Sequence, residues 1–487
     1  MMETTQPTPG NSLLITAPLT SSSGGSTARY NMAYVWGISL VAAMGGLLFG
    51  YDWVVIGGAK PFFEKYFQLG SDELSGWANS CALVGCLAGS LVTGGLSDRF
   101  GRKKLLVISA FLFAVSSVLT GWTATFAWFV VWRILGGVAI GMASNLSPMY
   151  IAEVAPAHMR GRLVAINQLT IVVGIVAAQV ANWLIAQPVA DGATAEMIRQ
   201  SWNGQLGWRW MFTAVAGPSL LFFVSALFVP ESPRWLVKNG MAERARKILA
   251  KIGGAAYADG EVRDVQATLA SGEIHHVRFQ DLLEPKMVKI LLVGVTLAVL
   301  QQWSGINVIF NYAEELYKAA GYGVSDILFN IVITGAINLV VTFIAIGTVD
   351  RFGRRGLMLI GCAGIAVSHL LLGAAYTMGM KGLLVLVLTL SAIGCYGMSL
   401  APITWVLISE IFPNRIRGAA VSVAVSALWI ACFVLTYTFP ILKGAVGMSG
   451  AFWIYAAICA GGFVFILLRV PETKGKTLEQ IERELTD

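Results

Sequence analysis

The chain contains a series of apolar runs, each long enough to cross a lipid bilayer. A hydrocarbon layer about 30 Å thick needs about 20 apolar helical residues to cross it. Lipid cannot satisfy free backbone groups, and the ten-residue alternation typical of barrel strands is absent, so each run predicts a transmembrane helix. The twelve predicted spans are 33–58, 75–97, 104–122, 125–151, 162–186, 209–229, 288–316, 327–348, 356–377, 383–409, 418–441 and 448–469. The fold class that follows is an all-α membrane protein.

The scarcity of charge supports this interpretation. Charged residues make up 13 % of the chain, against roughly 25 % in soluble proteins. This figure excludes a soluble, disordered or fibrous chain. A net charge of +7 could indicate nucleic acid, but the basic residues form short clusters between apolar runs. We therefore expect a lipid bilayer as the environment and no nucleic-acid partner.

The sequence contains no pattern typical of an enzyme or a metal site. All six cysteines fall inside apolar runs, which is typical of packing residues. CxxC and HExxH spacings do not occur, and no Ser/His/Asp or paired-Asp constellation is present. We expect no catalytic residues, no metal and no cofactor.

The distribution of Lys and Arg predicts the orientation. Of the 34 basic residues, 26 fall on one side of the predicted spans and six on the other. Basic residues favour the cytoplasmic side. Both termini are therefore expected in the cytoplasm, with the chain as a multi-pass protein of the plasma (inner) membrane.

The polar segments divide the chain into regions. Residues 1–29, rich in Ser, Thr, Gly and Pro, lack the features of a signal peptide and predict a disordered cytoplasmic tail. The only long polar insertion, 230–287, predicts a cytoplasmic linker with short amphipathic helices. It separates six helices in 30–229 from six in 288–470, and 471–487 is expected to be a cytoplasmic C-terminal segment.

The two halves repeat each other in three places. DRFGR occurs at 98–102 and 350–354, a Glu followed by two Arg occurs after spans four and ten, and Val-Pro-Glu occurs after spans six and twelve. Two six-helix halves around a central site are typical of transporters. The acidic residues beside Arg predict ion pairs that latch the halves, although a positive-inside anchor is the simpler alternative. The predicted latch residues are Asp98, Arg102, Glu153, Arg162, Glu231, Arg234, Asp350, Arg354, Glu410 and Arg417.

Six motifs in order resemble one family. They are 45–52 (GGLLFGYD), 133–137 (RILGG), 148–153 (PMYIAE), 230–234 (PESPR), 301–307 (QQWSGIN) and 471–475 (PETKG). Over roughly 33–485 the chain resembles the sugar porter family of the major facilitator superfamily, and within it the bacterial proton-linked xylose and hexose symporters. The resemblance implies the major facilitator fold and sugar transport by alternating access.

Two charges lie clearly inside the predicted membrane region, Asp52 in the first span and Arg133 in the fourth. Such charges are costly and usually have a partner and a function. One hypothesis is a permanent ion pair that fixes two helices. The other is a proton switch, in which protonated Asp52 releases Arg133. The resemblance favours the switch, because related proton symporters carry an acid at this position.

Intramembrane amides predict a site for a neutral polyol, because each amide offers donors and an acceptor. The alternative is interhelical hydrogen bonding, worth about 0.6 kcal/mol each. Gly305 is expected to loosen the helix between Gln302 and Asn307. The resemblance implies that sugar contacts come from Phe49, Gln168, Gln301, Gln302, Asn307, Asn338, Trp405 and Trp429.

The resemblance also implies that Tyr312 closes the outer side, and that the helix breaks near Ala401 and Pro402. Three positions depart from it. Asn311 replaces a second Tyr, Leu428 replaces a polar amide, and Ala401 replaces a Gly.

The leading functional hypothesis is a monomeric sugar:proton symporter that imports a pentose or hexose such as xylose, glucose or galactose. Its partners would be the monosaccharide and the proton. The alternatives are a facilitative uniporter or exchanger of the same fold and a transport-dead sugar sensor.

Overall fold

The protein is described by a computed structural model that covers residues 30–190, 192–270, 282, 284–412 and 416–474. Helices dominate these residues, and none of them is in a strand. The predicted tail 1–29 and residues 475–487 lie outside the described part. The helices of the first half and the linker are α1 (Met32–Tyr66), α2 (Asp72–Phe100), α3 (Arg102–Gly121), α4 (Phe126–Val154), α5 (Arg160–Ile185), α6 (Ala195–Gln200), α7 (Trp208–Thr213), α8 (Ala216–Phe228), α9 (Pro233–Lys238) and α10 (Ala242–Ala270). Those of the second half are α11 (Pro285–Trp303), α12 (Ile306–Asn311), α13 (Ala313–Ala319), α14 (Val324–Phe352), α15 (Arg354–Thr377), α16 (Leu383–Met398), α17 (Leu400–Ile411) and α18 (Arg417–Arg469).

Eleven helical stretches in the described residues are long and apolar enough to cross a membrane. The last of them runs over 51 residues, which at 1.5 Å per residue is about 77 Å and more than twice the hydrocarbon thickness. The backbone of Gly447 breaks it, with φ of +72°. Counting this stretch as two crossings gives the twelve that the sequence predicts.

The first half (α1–α8) and the second half (α11–α18) meet along two pairs of long helices. α2 packs against α18, and α5 packs against α14. Large apolar side chains point away from the bundle, among them Phe228, which is 83 % exposed, and Leu468, which is 71 % exposed. Side chains of this kind on the outer surface match an apolar surrounding, as the hydropathy predicts.

The linker forms a small unit of its own at one end of the bundle. The sequence predicts short amphipathic helices at 241–251 and 262–269, and apart from Met241 both stretches lie in α10, on either side of a break at Gly254. The Trp235 indole on α9 donates a hydrogen bond to the Asp98 carbonyl, and Lys238 pairs with the Asp98 carboxylate. These contacts hold the linker against the end of α2.

The first helix extends beyond the predicted span 33–58. α1 continues to Tyr66, and Lys60 in this extension is only 2 % exposed. Its burial is possible because Glu64 and Glu315 neutralise it. We call the end of the bundle that carries Lys60 the Lys60 end, and the opposite end, which carries Arg102, the Arg102 end.

Candidate functional site

The two charges predicted inside the membrane form an ion pair. Arg133 Nη1 donates hydrogen bonds to Asp52 Oδ1 at 3.0 Å and Oδ2 at 2.9 Å. Both residues are 4 % exposed, and the guanidinium also lies over the Phe212 ring at 5.3 Å. Each charge compensates the other. The two side chains can therefore stay buried only while both are ionised, and a change that removes one charge must be accompanied by a change at the other. A proton on Asp52 would leave Arg133 without its counter-charge.

The predicted break at Gly305 is confirmed. α11 ends at Trp303, and Gly305 begins α12 with φ of +83°. Two features exclude a side chain here. The positive φ favours glycine, and a Cβ would also lie 2.7 Å from the Tyr455 ring. The carbonyl of Ser304, freed by the break, lies 2.8 Å from His369 Nε2.

A second break separates α16 from α17, close to the predicted position. Ser399 has φ −132° and ψ −88°, and Pro402 has no N–H to continue the helix across it. Gln301 Nε2 donates to the carbonyls of Leu400 and Ala401, both at 3.1 Å. The Gln301 amide therefore satisfies backbone acceptors beside the break.

Three of the predicted amides form a chain that joins the two breaks. Asn307 donates to Gln302 Oε1, and Gln302 donates to Gln301 Oε1 at 3.3 Å. Asn338 is also buried and faces Gly397 of α16, where a Cβ would lie 2.9 Å from its Oδ1. Part of this set of amides therefore forms interhelical hydrogen bonds, which was the alternative to a sugar-binding role.

Gln168 behaves differently from those amides. It is half-buried on α5 and forms no hydrogen bond with any residue that the structure describes. Its amide is therefore available to a ligand.

An aromatic cluster joins the halves. The Phe49 and Trp53 rings of α1 lie 5.9 Å and 6.2 Å from the Trp429 ring of α18. Trp429 Nε1 is buried and has no hydrogen-bond partner in the described residues. Trp53 was missed by the sequence analysis, although its place next to Asp52 is a signal. Trp405 is half-buried on α17.

At the Lys60 end, a charge network crosses between the halves. Lys60 of α1 pairs with Glu64 of α1 at 3.2 Å and with Glu315 of α13. The Lys60 ammonium also lies 5.4 Å from the centre of the Tyr312 ring, whose hydroxyl donates to the Thr436 carbonyl at 2.6 Å. Lys60 and Glu315 were both missed, because neither stands in a motif.

The Arg102 end repeats one arrangement twice. Gly101 and Gly353 have φ of +92° and +79° and precede α3 and α15. Glu231 accepts from the backbone N–H of Arg102, and Glu472 accepts from that of Arg354 in the same way. A carboxylate at a helix N-terminus compensates its free N–H groups and its dipole. Glu472 was missed as a site residue, although its repeated Pro-Glu context was visible.

The pKa of Glu472 reflects this position. Burial alone would raise its pKa, but hydrogen bonds from backbone N–H groups, including those of Lys474, Arg354 and Arg355, outweigh burial. The pKa of Glu472 therefore lies below its ordinary value, and the carboxylate stays ionised at neutral pH.

The predicted latch residues form ion pairs within each half. Arg102 Nε lies 3.0 Å from Glu153 and its Nη1 lies 3.2 Å from Asp98, while Arg354 lies 3.6 Å from Glu410. In this conformation these pairs do not bridge the halves, so a latch between halves stays a prediction.

The remaining latch residues are unpaired or undescribed. Arg162 and Arg234 are exposed and form no ion pair with a described residue. The side chains of Asp350 and Arg417 lie outside the described part. No group of three or more His, Cys, Asp or Glu in the described residues is placed to hold a metal ion.

Sequence comparisons identify relatives over almost the whole chain. The family model described as "Sugar (and other) transporter" matches residues 38–485. The glucose transport protein of Synechocystis is 41 % identical over 94 % of this chain and 99 % of its own. The D-xylose-proton symporter of Escherichia coli is 39 % identical over 93 % and 96 %. The arabinose-proton symporter of Bacillus subtilis is 37 % identical over 94 % and 96 %.

Structural comparisons agree. The xylose transporter of E. coli in a partially occluded inward-open conformation has a TM-score of 0.80 and 36 % identity, covering 91 % of this chain and 100 % of its own. The proton:xylose symporter bound to 6-bromo-6-deoxy-D-glucose has a TM-score of 0.78 and 38 % identity, covering 94 % and 100 %. The chain belongs to the sugar transporter family of the major facilitator superfamily.

Proposed function

We propose that the protein is a monosaccharide:proton symporter that works by alternating access in the cytoplasmic membrane. The observation that carries this proposal is the buried Asp52–Arg133 pair, with N–O distances of 2.9–3.0 Å. The names of two relatives, a D-xylose-proton and an arabinose-proton symporter, support it. One chain contains both halves, so the proposed working unit is the monomer.

The ion pair supplies a chemical reason for coupling. A proton on Asp52 neutralises its carboxyl and removes the attraction that holds Arg133. The cost of leaving a guanidinium unpaired in low dielectric then favours a rearrangement of α1 against α4. Return of the proton to the cytoplasm restores the pair. In this proposal the proton gradient biases the direction of each cycle.

The proposed sugar site lies between the two helix breaks and the aromatic cluster. A neutral polyol needs donors and acceptors without net charge, which amides provide. Gln168 and Trp429 Nε1 have no hydrogen-bond partner in the described residues and are the first candidates for direct contact. Gln302 and Asn307 would exchange their mutual hydrogen bond for sugar hydroxyls, and Phe49 would cover the apolar face of the ring.

The contacts between the halves indicate which end of the bundle is closed. Lys60 pairs with Glu315 across the halves, and Gly57 approaches the Phe310 carbonyl so closely that a Cβ would lie 2.4 Å from it. Both contacts are at the Lys60 end. We propose that this end is extracellular, as the distribution of Lys and Arg predicts, and that the conformation is closed to the outside.

Transport by the purified protein in liposomes tests this function. A panel of pentoses and hexoses is offered with and without an inward proton gradient. We expect one or two sugars to accumulate above their external concentration only with the gradient, and external alkalinisation to accompany their entry. Uptake that stops at equilibrium under both conditions would instead indicate a uniporter, and binding without uptake a sensor.

A further inference from the structure

A small cavity lies between the halves next to the Asp52–Arg133 pair. It is wide enough for a water-sized sphere. Its walls come from α1, α2 and α4 of the first half and from α12 of the second. The lining residues that matter here are Trp53, Asn79, Cys86, Arg133 and Asn311.

Three buried polar atoms of this lining have no hydrogen-bond partner in the described residues. They are Asn79 Oδ1, Asn311 Oδ1 and Arg133 Nε. The other end of the Asn79 amide is held, because its Nδ2 donates to the Ser75 carbonyl at 2.8 Å. An unsatisfied buried polar atom costs about 1–3 kcal/mol, so three of them around one cavity need a common explanation.

The chemistry of the three atoms defines what fills the cavity. Two are acceptors and one is a donor. A water molecule has two O–H groups and can accept as well, and buried waters typically form about three hydrogen bonds. A cation would be repelled by Arg133, and an anion by the two amide oxygens. We propose that the cavity is a water-binding site, in which one water donates to Asn79 and Asn311 and accepts from Arg133.

This site places a water between the proton-coupling pair and the sugar-site helix. Asn311 and Asn307 are four residues apart on α12 and so lie on one face of it. Asn307 donates to Gln302 in the proposed sugar site. A shift of α12 on sugar binding would therefore move Asn311 and alter the hydrogen bonds of the water. The strength of the hydrogen bonds between Arg133 and Asp52 would change with them.

The inference rests on the proposed function and deepens it, because the water becomes part of the coupling between sugar and proton. Coupling is reciprocal, so protonation must change sugar affinity as much as sugar changes protonation. Among the residues that the structure describes, the buried thiols of Cys81 and Cys86 on α2 also lie close enough to interact with the pair. On α7, Arg209 is held by the carbonyls of Gly121 and Thr123.

A crystallographic electron-density map of the wild-type protein, detailed enough to show other buried waters, tests the water-binding site itself. We expect density within hydrogen-bond distance of Asn79 Oδ1, Asn311 Oδ1 and Arg133 Nε. An empty cavity in such a map would overturn the site.

The coupling role is tested by sugar affinity across pH, using the sugar identified in the transport panel. The measured quantity is the ratio of Kd at pH 9 to Kd at pH 5.5. Asn79→Leu keeps the size of the side chain and removes the acceptor. The control is Asn330→Leu. Asn330 is also buried, its Nδ2 has no hydrogen-bond partner in the described residues, and it does not line the cavity.

We expect the ratio of Kd at pH 9 to Kd at pH 5.5 to be at least threefold closer to 1 in Asn79→Leu than in the wild type. In Asn330→Leu we expect the wild-type ratio. Density for the water together with an unchanged ratio in Asn79→Leu would overturn the coupling role. A wild-type ratio of 1 would overturn the proposed proton coupling instead, while the density would still decide whether the water site exists. If Asn79→Leu does not fold, Asn311→Leu takes its place with the same expected ratio.

Discussion

Lys60 of α1 and Glu315 of α13 form an ion pair that joins the two halves of the protein, 255 residues apart in sequence. The Lys60 side chain is 3 % exposed and Glu315 is 14 % exposed. Alternating access requires that such a pair break when this end opens. The pair therefore stabilises the conformation that is closed at the Lys60 end.

Replacing Lys60 by Met should destabilise the closed conformation, because Glu64 and Glu315 are left without their cation. Removing one partner of a buried pair costs about 3–5 kcal/mol. We expect a lower melting temperature and a larger distance between spin labels placed at this end on α1 and α13. Lys65→Met is the control, since Lys65 forms no ion pair with a described residue. Identical label distances in both variants would contradict a closing role for Lys60.

Glu314 predicts a pH dependence of stability at the same end. Burial raises its pKa to about 7, with Lys60 opposing and Glu315 reinforcing the shift. A carboxyl with a raised folded-state pKa stabilises the fold fully below its ordinary value of 4.5, and this contribution is lost as the pH rises through 7.

Glu314→Gln should remove this dependence. We expect the melting temperature of the variant, relative to the wild type, to be higher at pH 8 than at pH 5, by an amount corresponding to about 2–3 kcal/mol. A difference that is constant between the two pH values would contradict the raised pKa.

Gly101 should not tolerate a side chain. Its φ of +92° strains any other residue, and a Cβ would lie 2.3 Å from the Glu231 carboxylate. Gly101→Ala should therefore cost about 1–3 kcal/mol of stability and displace Glu231 from the start of α3. Gly94→Ala is a matched control in the adjoining helix, because no atom lies within 4 Å of its Cβ position. Equal melting temperatures for the two variants would exclude the proposed geometry.

The first span shows where sequence reasoning succeeds and where it stops. Asp52 is found because a charge in an apolar run is conspicuous, and its partner because Arg133 is the other such charge. The break at Gly305 is found because glycine tolerates φ of +83°. Lys60 is missed because one of the two carboxylates that make its burial possible, that of Glu315, lies far away in sequence. Likewise, the hydrogen bonds of Gln301 depend on where Ser399 breaks another helix, which no local pattern reveals.

Gln168 and Gln301 should respond differently to truncation. The Gln168 amide has no partner in the described residues, so Gln168→Ala should weaken sugar binding at least tenfold, about 1.4 kcal/mol, without lowering the melting temperature. Gln301→Ala leaves the carbonyls of Leu400 and Ala401 unpaired, so it should lower the melting temperature. Calorimetric binding and thermal unfolding of both variants check this. Unchanged sugar affinity in Gln168→Ala would place the sugar elsewhere.

The proton role of Asp52 can be measured in liposomes under an inward proton gradient, as the ratio of internal to external sugar at steady state. Counterflow exchange without a gradient is the control for folding and sugar binding. For the wild type we predict a ratio above 1. For Asp52→Asn we predict a ratio of 1 with counterflow retained, because the neutral side chain can no longer bind and release the proton. Accumulation above 1 by Asp52→Asn would contradict proton coupling through this residue.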